Sequence, residues 1–301
     1  MELYLLKVLL TVATEKSFSR AAEKLGRTQP AVSLALQRLE DELGERLIDR
    51  SGKDLILTDA GRIVLDYARR FGNLQLDLEN ALTELRDNAA GRLSIGANES
   101  TALYLLQHIE RYRRTYPKIK VQVRRSLSSK IPSQLIDGDL ELGVISYDPQ
   151  DERVQTSVIY TDRLAFMVSP DHRLAKRRSV SINELGMETF IAHNVLSPYR
   201  EVVIRCFRDH KVPLNMDVEM PTVETIRKLV QQNEGVAFLP KMCVETEIQR
   251  GMLHEVRVKE LDIERKIYLV SPAKRALSHA ARAFLELVRS GENEALAANA
   301  D

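Results

Sequence analysis

Apolar residues recur along residues 1–45 with the spacing of three short helices. The first predicted helix covers residues 3–13. The second begins after Ser17, which can cap a helix N-terminus, and ends at Gly26, which suits a helix C-terminus. The third begins after Thr28, carries proline in its first turn and ends at Gly44. A Gly-Arg-Thr connection joins the second helix to the third, and this order predicts a helix-turn-helix.

A short basic hairpin is predicted after the third helix. Apolar residues at 47–48, and at 55 and 57, flank the segment RSGK at residues 50–53. The glycine allows a tight turn at the tip of the hairpin. We interpret this segment as the wing of a winged helix.

Residues 58–88 have a different periodicity. Their apolar positions are separated alternately by four and three residues over about four heptads. A sustained repeat of this kind drifts off one face of a straight helix and is typical of a coiled-coil seam. We therefore predict a long dimerisation helix, with a seam formed by Ala60, Val64, Tyr67, Phe71, Leu74, Leu78, Ala81 and Leu85.

From residue 91 onward, apolar runs typical of strands alternate with helical segments. This alternation predicts an α/β architecture with parallel sheets covered on both faces, arranged as one domain or as two lobes. The predicted strands cover residues 93–96, 121–123, 142–145, 164–168, 190–192, 236–239 and 267–270. The predicted helices cover residues 103–116, 130–137, 198–210, 222–233 and 241–250.

Composition narrows the possible functions. The 301 residues carry a net charge of only +1, so binding to nucleic acid would depend on where the cations lie. Two cysteines are too few for a disulfide framework, and no apolar run approaches a membrane span, so we expect a cytoplasmic protein without membrane contact. The six histidines lack metal-ligand spacing, and no phosphate-loop, dinucleotide or nucleophile-elbow motif occurs. We expect no catalytic residue, metal or cofactor.

The third predicted helix has side chains suited to reading double-stranded DNA from the major groove. Gln29 and Gln37 can pair with adenine, while Pro30 and Leu34 offer apolar contact, for instance with a thymine methyl group. Taken singly, each residue is most simply a solvated side chain, but the ordered motif favours a DNA interface. The candidate base contacts are Thr28, Gln29, Pro30, Ser33, Leu34 and Gln37, and the candidate phosphate contacts are Arg20, Arg38, Arg50 and Lys53.

This stretch resembles the DNA-binding domain of the LysR-type transcriptional regulators. The resemblance rests on SFSRAAEKL at 17–25, TQPAVS at 28–33, the spaced residues L-x-x-L-E-x-x-L-G-x-x-L at 36–47, and LTDAG at 57–61. It continues in LIDGDLELGV at 135–144 and NEGVAFLP at 233–240, and it covers essentially the whole chain. Leu34 departs from the pattern, because family members often carry arginine or another polar residue there.

The resemblance implies an N-terminal, all-α winged helix-turn-helix domain followed by an α/β effector domain. The DNA-binding domain would span residues 1–58, the dimerisation helix 59–90 and the effector-binding domain 91–301. The effector domain would be two-lobed and periplasmic-binding-protein-like, with lobe I at about 91–161 and 271–301 and lobe II at about 162–270. The resemblance also implies a homodimer, a further pairing into a tetramer, and control by a small-molecule effector.

Small polar residues follow several predicted strands, where lobes of this type bind ligands at strand carboxyl ends and helix N-termini. Some of them can equally act as helix N-caps. Glu99 would repel an anion unless it paired with a cation or accepted from a ligand hydroxyl. The expected effector is a small anionic or polar metabolite. Its candidate contacts are Asn98, Glu99, Ser100, Thr101, Ser128, Ser129, His193, Asn194 and Thr222.

Two other functions fit parts of the sequence. Cys206 and Cys243 could form a thiol redox switch, but both occupy apolar positions that favour buried structural cysteines. The other alternative is a solute-binding or enzymatic α/β protein with an accessory DNA-binding domain. No export signal or catalytic triad supports it. The favoured interpretation is a ligand-responsive transcription factor.

Overall fold

The computed structural model describes residues 2–49, 55–86 and 90–298, with side chains as far as Ser290. The chain divides into two compact units. Unit 1 comprises Met1–Gly91 and Ile136–Asp139, and unit 2 comprises Arg92–Leu135 and Leu140–Asp301. Within the described part of the chain, no helix is both long and apolar enough to cross a membrane.

Unit 1 contains the predicted helix-turn-helix. Its elements are α1 (Leu3–Glu15), α2 (Phe18–Leu25), α3 (Gln29–Leu43), β1 (Ile48–Asp49), β2 (Ile56–Leu57) and α4 (Asp59–Arg86). The Ser17 side chain accepts from the Arg20 N–H, and the Thr28 side chain accepts from the Ala31 N–H, as N-caps do. Gly26 ends α2 in the left-handed conformation. The predicted caps and the helix boundaries they set are confirmed.

The core of unit 1 lies between its first three helices. Leu9 and Val12 of α1 and Leu36 and Leu39 of α3 are completely buried there. Burying an aliphatic side chain of this size stabilises the fold by roughly 1.5–3 kcal/mol relative to leaving it exposed. The opposite face of α3 is left to solvent.

A buried acid connects α3 to the hairpin. Glu40 is 4% exposed, and its Oε1 accepts hydrogen bonds from Leu47 N at 2.8 Å and Ile48 N at 3.3 Å. Strand β1 then pairs with β2 in antiparallel fashion. Gly61 allows α4 to approach, because a Cβ atom there would lie 2.0 Å from the Leu47 carbonyl oxygen. The helix-to-hairpin geometry therefore depends on Glu40 and Gly61.

Helix α4 has one covered face and one apolar face that this single chain does not cover. Leu65 and Ala68 are buried, whereas Leu74, Leu78 and Leu85 are 64%, 59% and 80% exposed. These exposed leucines belong to the predicted seam. An apolar stripe of this length in solvent indicates an interaction surface.

Unit 2 is built on one large mixed sheet and two small ones. The large sheet has the order β10-β6-β13-β5-β3-β4, and β11 also pairs with β6. Strands β12 and β7 form one small parallel sheet, and β8 and β9 form the other. The strands are β3 (Gly91–Ala97), β4 (Ile119–Arg125), β5 (Leu142–Ile145), β6 (Val154–Val168), β7 (Ser179–Val180), β8 (Thr189–His193), β9 (Asn215–Met220), β10 (Ala237–Pro240), β11 (His254–Glu255), β12 (Arg257–Val258) and β13 (Ile263–Pro272).

Helices pack against both faces of these sheets. They are α5 (Glu99–Thr115), α6 (Ile131–Ile136), α7 (Pro198–Asp209), α8 (Val223–Gln231), α9 (Glu245–Gln249) and α10 (His279–Ala298). One buried cluster contains Leu93, Leu105 and Phe284, and two others contain Phe190 and Ile226 respectively. The α/β architecture is confirmed, including the helical segments predicted between the strands.

The prediction of parallel sheets is wrong for part of unit 2. Strands β3 and β5 are parallel, but β13 is antiparallel to both β5 and β6, and β10 is antiparallel to β6. Strand β13 pairs along its whole length with residues 154–164 of β6, with a register shift between Ile267 and Tyr268. The two strands are direct neighbours and run in opposite directions, which a simple strand–helix–strand repeat does not produce.

Candidate functional site

The exposed face of α3 carries the side chains predicted to contact base edges. Gln29, Pro30, Leu34 and Gln37 are exposed, and Ser33 is partly buried. The intervening positions Val32, Leu36 and Leu39 are buried in the core, so the helix keeps its polar N-terminal end in solvent. Exposed Thr28 caps the helix.

The described phosphate candidates are exposed arginines of α2 and α3. Arg38 of α3 and Arg20 of α2 are both exposed. The Arg20 guanidinium donates to the Glu15 carbonyl oxygen at the end of α1. Arg50 and Lys53, the remaining candidates, lie outside the described residues. An exposed helix end with amide and hydroxyl groups, together with exposed guanidinium groups on the same two helices, has the chemistry needed to contact bases and phosphates.

Unit 2 contains a cavity of about 920 Å³. It lies where β3, β8 and β10 end and where α5, α7 and α8 begin. Its lining includes six of the nine residues predicted to contact an effector: Asn98, Glu99, Ser100, Ser128, Ser129 and His193. The sequence therefore identified one wall of this cavity.

The other three predicted contacts do not line the cavity. Thr101 is completely buried, and its hydroxyl donates to the Val144 carbonyl oxygen at 3.0 Å. Thr222 caps α8, where its side chain accepts from Thr225 N. Asn194 is exposed, beyond the end of β8. Thr101 does not reach the cavity because α5 begins at Glu99, which turns the side chain of the third helical residue inward.

Asn98 both caps a helix and organises the cavity wall. Its Oδ1 accepts from Thr101 N at 2.9 Å and from the Ser100 hydroxyl at 3.0 Å. Its Nδ2 donates to the Ser128 hydroxyl oxygen at 2.9 Å. The capping interpretation and the cavity-lining interpretation therefore both apply to this residue.

Glu99 connects two helices across the cavity. Both of its carboxylate oxygens lie 3.1 Å from the backbone nitrogen of Val223, the first residue of α8. The His193 Nε2 lies 3.8 Å from Glu99 Oε2. Burial lowers the pKa of His193 below its ordinary value, although the nearby Glu99 carboxylate opposes this shift. The acid that would repel an anion thus already has partners within the protein.

A buried ion pair that the sequence reasoning missed lies beside the cavity. Arg265 Nη1 donates to Asp162 Oδ2 at 2.7 Å, and the two side chains are 4% and 2% exposed. Burial raises the pKa of Asp162, while the Arg265 charge acts in the opposite direction. Arg265 also lies over the Tyr199 ring, 5.1 Å from its centre. Buried and exposed residues alternate over the first five positions of β13, residues 263–267, and this alternation puts Arg265 on the buried face.

Two further arginines in the cavity lining were missed. Arg200 donates to the His193 carbonyl oxygen at 2.9 Å and to Glu219 Oε1 at 2.5 Å. Arg125 lies at the end of β4 and is exposed. Neither arginine forms part of a motif, because each reaches the cavity only through the packing of separate elements.

The two cysteines differ in their surroundings. Cys243 is buried, and burial raises its pKa to about 12. Cys206 is only partly buried, which corrects the prediction of two buried cysteines, and desolvation raises its pKa as well. A raised pKa lowers the thiolate fraction at neutral pH and therefore disfavours thiol redox chemistry. Among the described residues, no three His, Cys, Asp or Glu side chains are grouped to hold a metal ion.

Two family models match the chain. The model described as "Bacterial regulatory helix-turn-helix protein, lysR family" matches residues 3–62, and the model described as "LysR substrate binding domain" matches residues 86–292. The second match alone covers more than half of the chain. The first match includes the exposed face of α3, and the second includes the residues that line the cavity.

Individual proteins agree with these matches. A "Probable RuBisCO transcriptional regulator" from Cyanophora paradoxa is 32% identical over 289 residues, which cover 93% of this chain and 89% of the relative. A crystal structure of full-length CbnR with its target DNA superposes with a TM-score of 0.75 at 18% identity, covering 96% of this chain and 99% of the other. The Synechocystis PCC6803 CcmR regulatory domain with 2-PG gives a TM-score of 0.61 at 21% identity, covering 67% and 97%.

Proposed function

The chain belongs to the LysR family of transcriptional regulators, and from that premise we propose a separate function for each of its two units. Unit 1 reads an operator in double-stranded DNA through α3, and unit 2 binds a small-molecule effector in its cavity. The observation that supports DNA binding most directly is that the N-terminal half of α3 is capped by Thr28 and exposes one face, while its other face is buried in the core of unit 1.

On DNA, α3 occupies the major groove with its first turns toward the bases. Gln29 and Gln37 pair with adenine edges, Ser33 donates or accepts, and Pro30 and Leu34 make apolar contact. Thr28 lies at the start of the same helix. Arg20, Arg38, Arg50 and Lys53 bind phosphates and fix the register of the protein on the duplex.

Helix α4 joins two copies of the chain. Its exposed seam leucines support this role, because pairing with a second copy removes them from water. We assign residues 1–58 to DNA binding, 59–90 to dimerisation and 91–301 to effector binding. Within the last segment, lobe I comprises about 91–161 and 271–301, and lobe II about 162–270. Two dimers associate into a tetramer that spans successive half-sites.

The effector changes DNA binding by favouring one arrangement of the oligomer. A ligand can do this only if its affinity differs between the arrangements. The contacts proposed for it are Asn98, Glu99, Ser100, Ser128, Ser129 and His193. Thr101 and Thr222 support this site through hydrogen bonds at the starts of α5 and α8, and Asn194 lies just beyond the end of β8. We propose further that the regulator works in the cytoplasm, where it meets its DNA partner, and that it carries no cofactor and no catalytic residue.

Selection of binding sites from random duplex DNA by the full-length protein tests the DNA-binding role. The expected result is enrichment of a sequence with two related half-sites about one helical turn apart, or a multiple of that distance. The same protein should sediment as a dimer or tetramer. Recovery of unrelated sequences by a monomeric protein would contradict the proposal.

A further inference from the structure

The charged groups in the cavity wall are mostly paired within the protein. Arg265 pairs with Asp162, and Arg200 pairs with Glu219. Glu99 accepts from the first N–H of α8. A ligand anion can reach these arginines only by competing with carboxylates that already bind them.

Arg125 is different. Among the described residues that line the cavity, it is the arginine without a carboxylate partner. It lies close enough to His193 for its positive charge to contribute to lowering the pKa of that histidine. The chain beyond Arg125 adds the hydroxyl groups of Ser128 and Ser129 to the lining, whereas the Ser126 hydroxyl donates to Gln134 Oε1 at 2.7 Å. This polar end of the cavity offers one available cation and two hydroxyl groups.

A second part of the cavity wall is apolar. Phe190, Val203 and Ile226 are at most 2% exposed, so these side chains are fixed in the packed core. The rings of Phe190 and Phe238 are stacked, with centres 5.8 Å apart. The apolar wall is formed by Leu164, Phe190, Val203, Met216, Ile226 and Phe238.

An apolar residue also projects at the rim. Leu196 belongs to the cavity lining, yet it is 74% exposed. Exposed apolar surface beside a cavity loses contact with water when a ligand with an apolar body is bound. The rim therefore continues the apolar character of the inner wall.

We propose that the effector is an amphipathic monocarboxylate, with its acid group at Arg125 and the neighbouring serines and its hydrocarbon or aromatic body against the apolar wall. This inference rests on the proposed function and specifies its ligand. A cavity of about 920 Å³ accommodates a molecule much larger than a two-carbon phosphate ester. A compact dianion would need a second available cation and would leave the apolar wall in contact with water.

Isothermal titration calorimetry on the full-length protein tests the proposal with four probes. They are 3-phenylpropanoate, octanoate, the neutral amide 3-phenylpropanamide and 2-phosphoglycolate. At least one carboxylate should bind with a dissociation constant in the millimolar range or lower. If 3-phenylpropanoate binds, the amide should bind at least tenfold more weakly than it does. 2-Phosphoglycolate should bind more weakly than the better of the two carboxylates. The comparison of the two carboxylates distinguishes an aromatic body from an aliphatic one.

Three variants connect the result to the cavity. Arg125→Gln should weaken carboxylate binding about tenfold and leave amide binding unchanged. Arg124→Gln, at the adjacent exposed position that does not line the cavity, is the matched control and should bind like the unmodified protein. Leu196→Ser should weaken the carboxylate and the amide alike.

The proposed ligand class is wrong if neither carboxylate binds at concentrations up to about 10 mM, a limit that covers weak binding sites. It is also wrong if the amide binds as well as the acid, or if Arg125→Gln does not change carboxylate binding. Operator binding is measured on the same samples by fluorescence anisotropy. If 2-phosphoglycolate shifts operator affinity and the carboxylates do not, the regulatory function stands and the amphipathic ligand is excluded. If the protein binds no operator at all, the proposed function fails independently of the ligand result.

Discussion

The Glu99 carboxylate accepts the N–H of Val223 at 3.1 Å, and this hydrogen bond joins the first turn of α5 to the first turn of α8 across the cavity. The N-terminus of a helix carries partial positive charge, so a carboxylate is the favoured partner there. The protein thereby supplies from its own chain the negative charge that the start of α8 attracts. Glu99 therefore links the starts of two helices that line the cavity.

Glu99→Ala should loosen the cavity. Loss of a hydrogen bond to a charged acceptor is expected to cost roughly 1–2 kcal/mol of unfolding free energy, and amide exchange at the start of α8 should accelerate. Urea denaturation and hydrogen exchange measure the two effects. Glu110→Ala removes an exposed ion pair with Arg114 and should cost less than about 0.5 kcal/mol. Equal losses from both variants would show that the bond to Val223 has no special role.

Glu40→Ala should disrupt the hairpin without changing sequence preference. The substitution leaves the N–H groups of Leu47 and Ile48 without their buried acceptor, at a cost of about 2 kcal/mol. Affinity for operator and for unrelated DNA should fall by the same factor, because the hairpin is proposed to contact phosphates. Exposed Glu45→Ala is the control. A change confined to operator affinity would contradict this account.

Gln29→Ala and Arg38→Ala should separate base reading from phosphate binding. The first should cost about 1–3 kcal/mol on the operator and relax the preference at one base pair, because an amide pairs with a base edge. The second should weaken all duplexes similarly and reduce the salt slope of binding by about one. Fluorescence anisotropy across a salt series measures both. If the two variants behave identically, α3 does not lie in the groove as proposed.

Leu78→Glu should dissociate the dimer. The substitution puts a charge into the exposed seam of α4, where pairing would bury it. Leu76 lies on the same helix off the predicted seam and is 46% exposed, so Leu76→Glu is a matched control. Sedimentation velocity should show a smaller species for the first variant only. Dissociation by both would mean that general charge, and not the seam, controls assembly.

Acidification should destabilise the protein partly through His193. Its pKa in the folded protein is lowered, chiefly by burial, so the folded state binds a proton less readily than the unfolded state. Above the ordinary histidine pKa of about 6.5, His193 is unprotonated in both states and has no such effect on the free energy of unfolding. As the pH falls below that value, the unfolded state takes up the proton first and the free energy of unfolding decreases. His193→Gln should therefore lose less unfolding free energy between pH 7.5 and pH 5.5 than the unmodified protein. Identical losses would exclude the effect.

The helix-turn-helix could be predicted almost completely because its signals are local. Ser17, Gly26 and Thr28 mark helix ends through bonds to residues three or four positions away, and no distant partner is needed. The polar residues of the cavity wall could be predicted for the same reason, because Asn98 and Ser100 lie at the start of a helix that directly follows a strand.

The remainder of the site depends on distant pairs. Asp162 and Arg265 are 103 residues apart in sequence, and only the antiparallel pairing of β6 with β13 brings them together. Strand β6 was predicted only where it is continuously apolar, because its first ten residues mix exposed and buried positions. Arg200 and Arg125 likewise reach the cavity through packing that no short segment encodes.

At the irregular step in the β6–β13 ladder, Ile267 lies opposite Tyr160 and Tyr268 lies opposite Val158, so β6 carries one extra residue there. Such a bulge bends its strand and increases the local twist. A shift of one residue reverses which face of a sheet each side chain occupies. Deleting the extra residue would therefore turn one half of β6 over relative to the other, although no side chain that lines the cavity would be replaced.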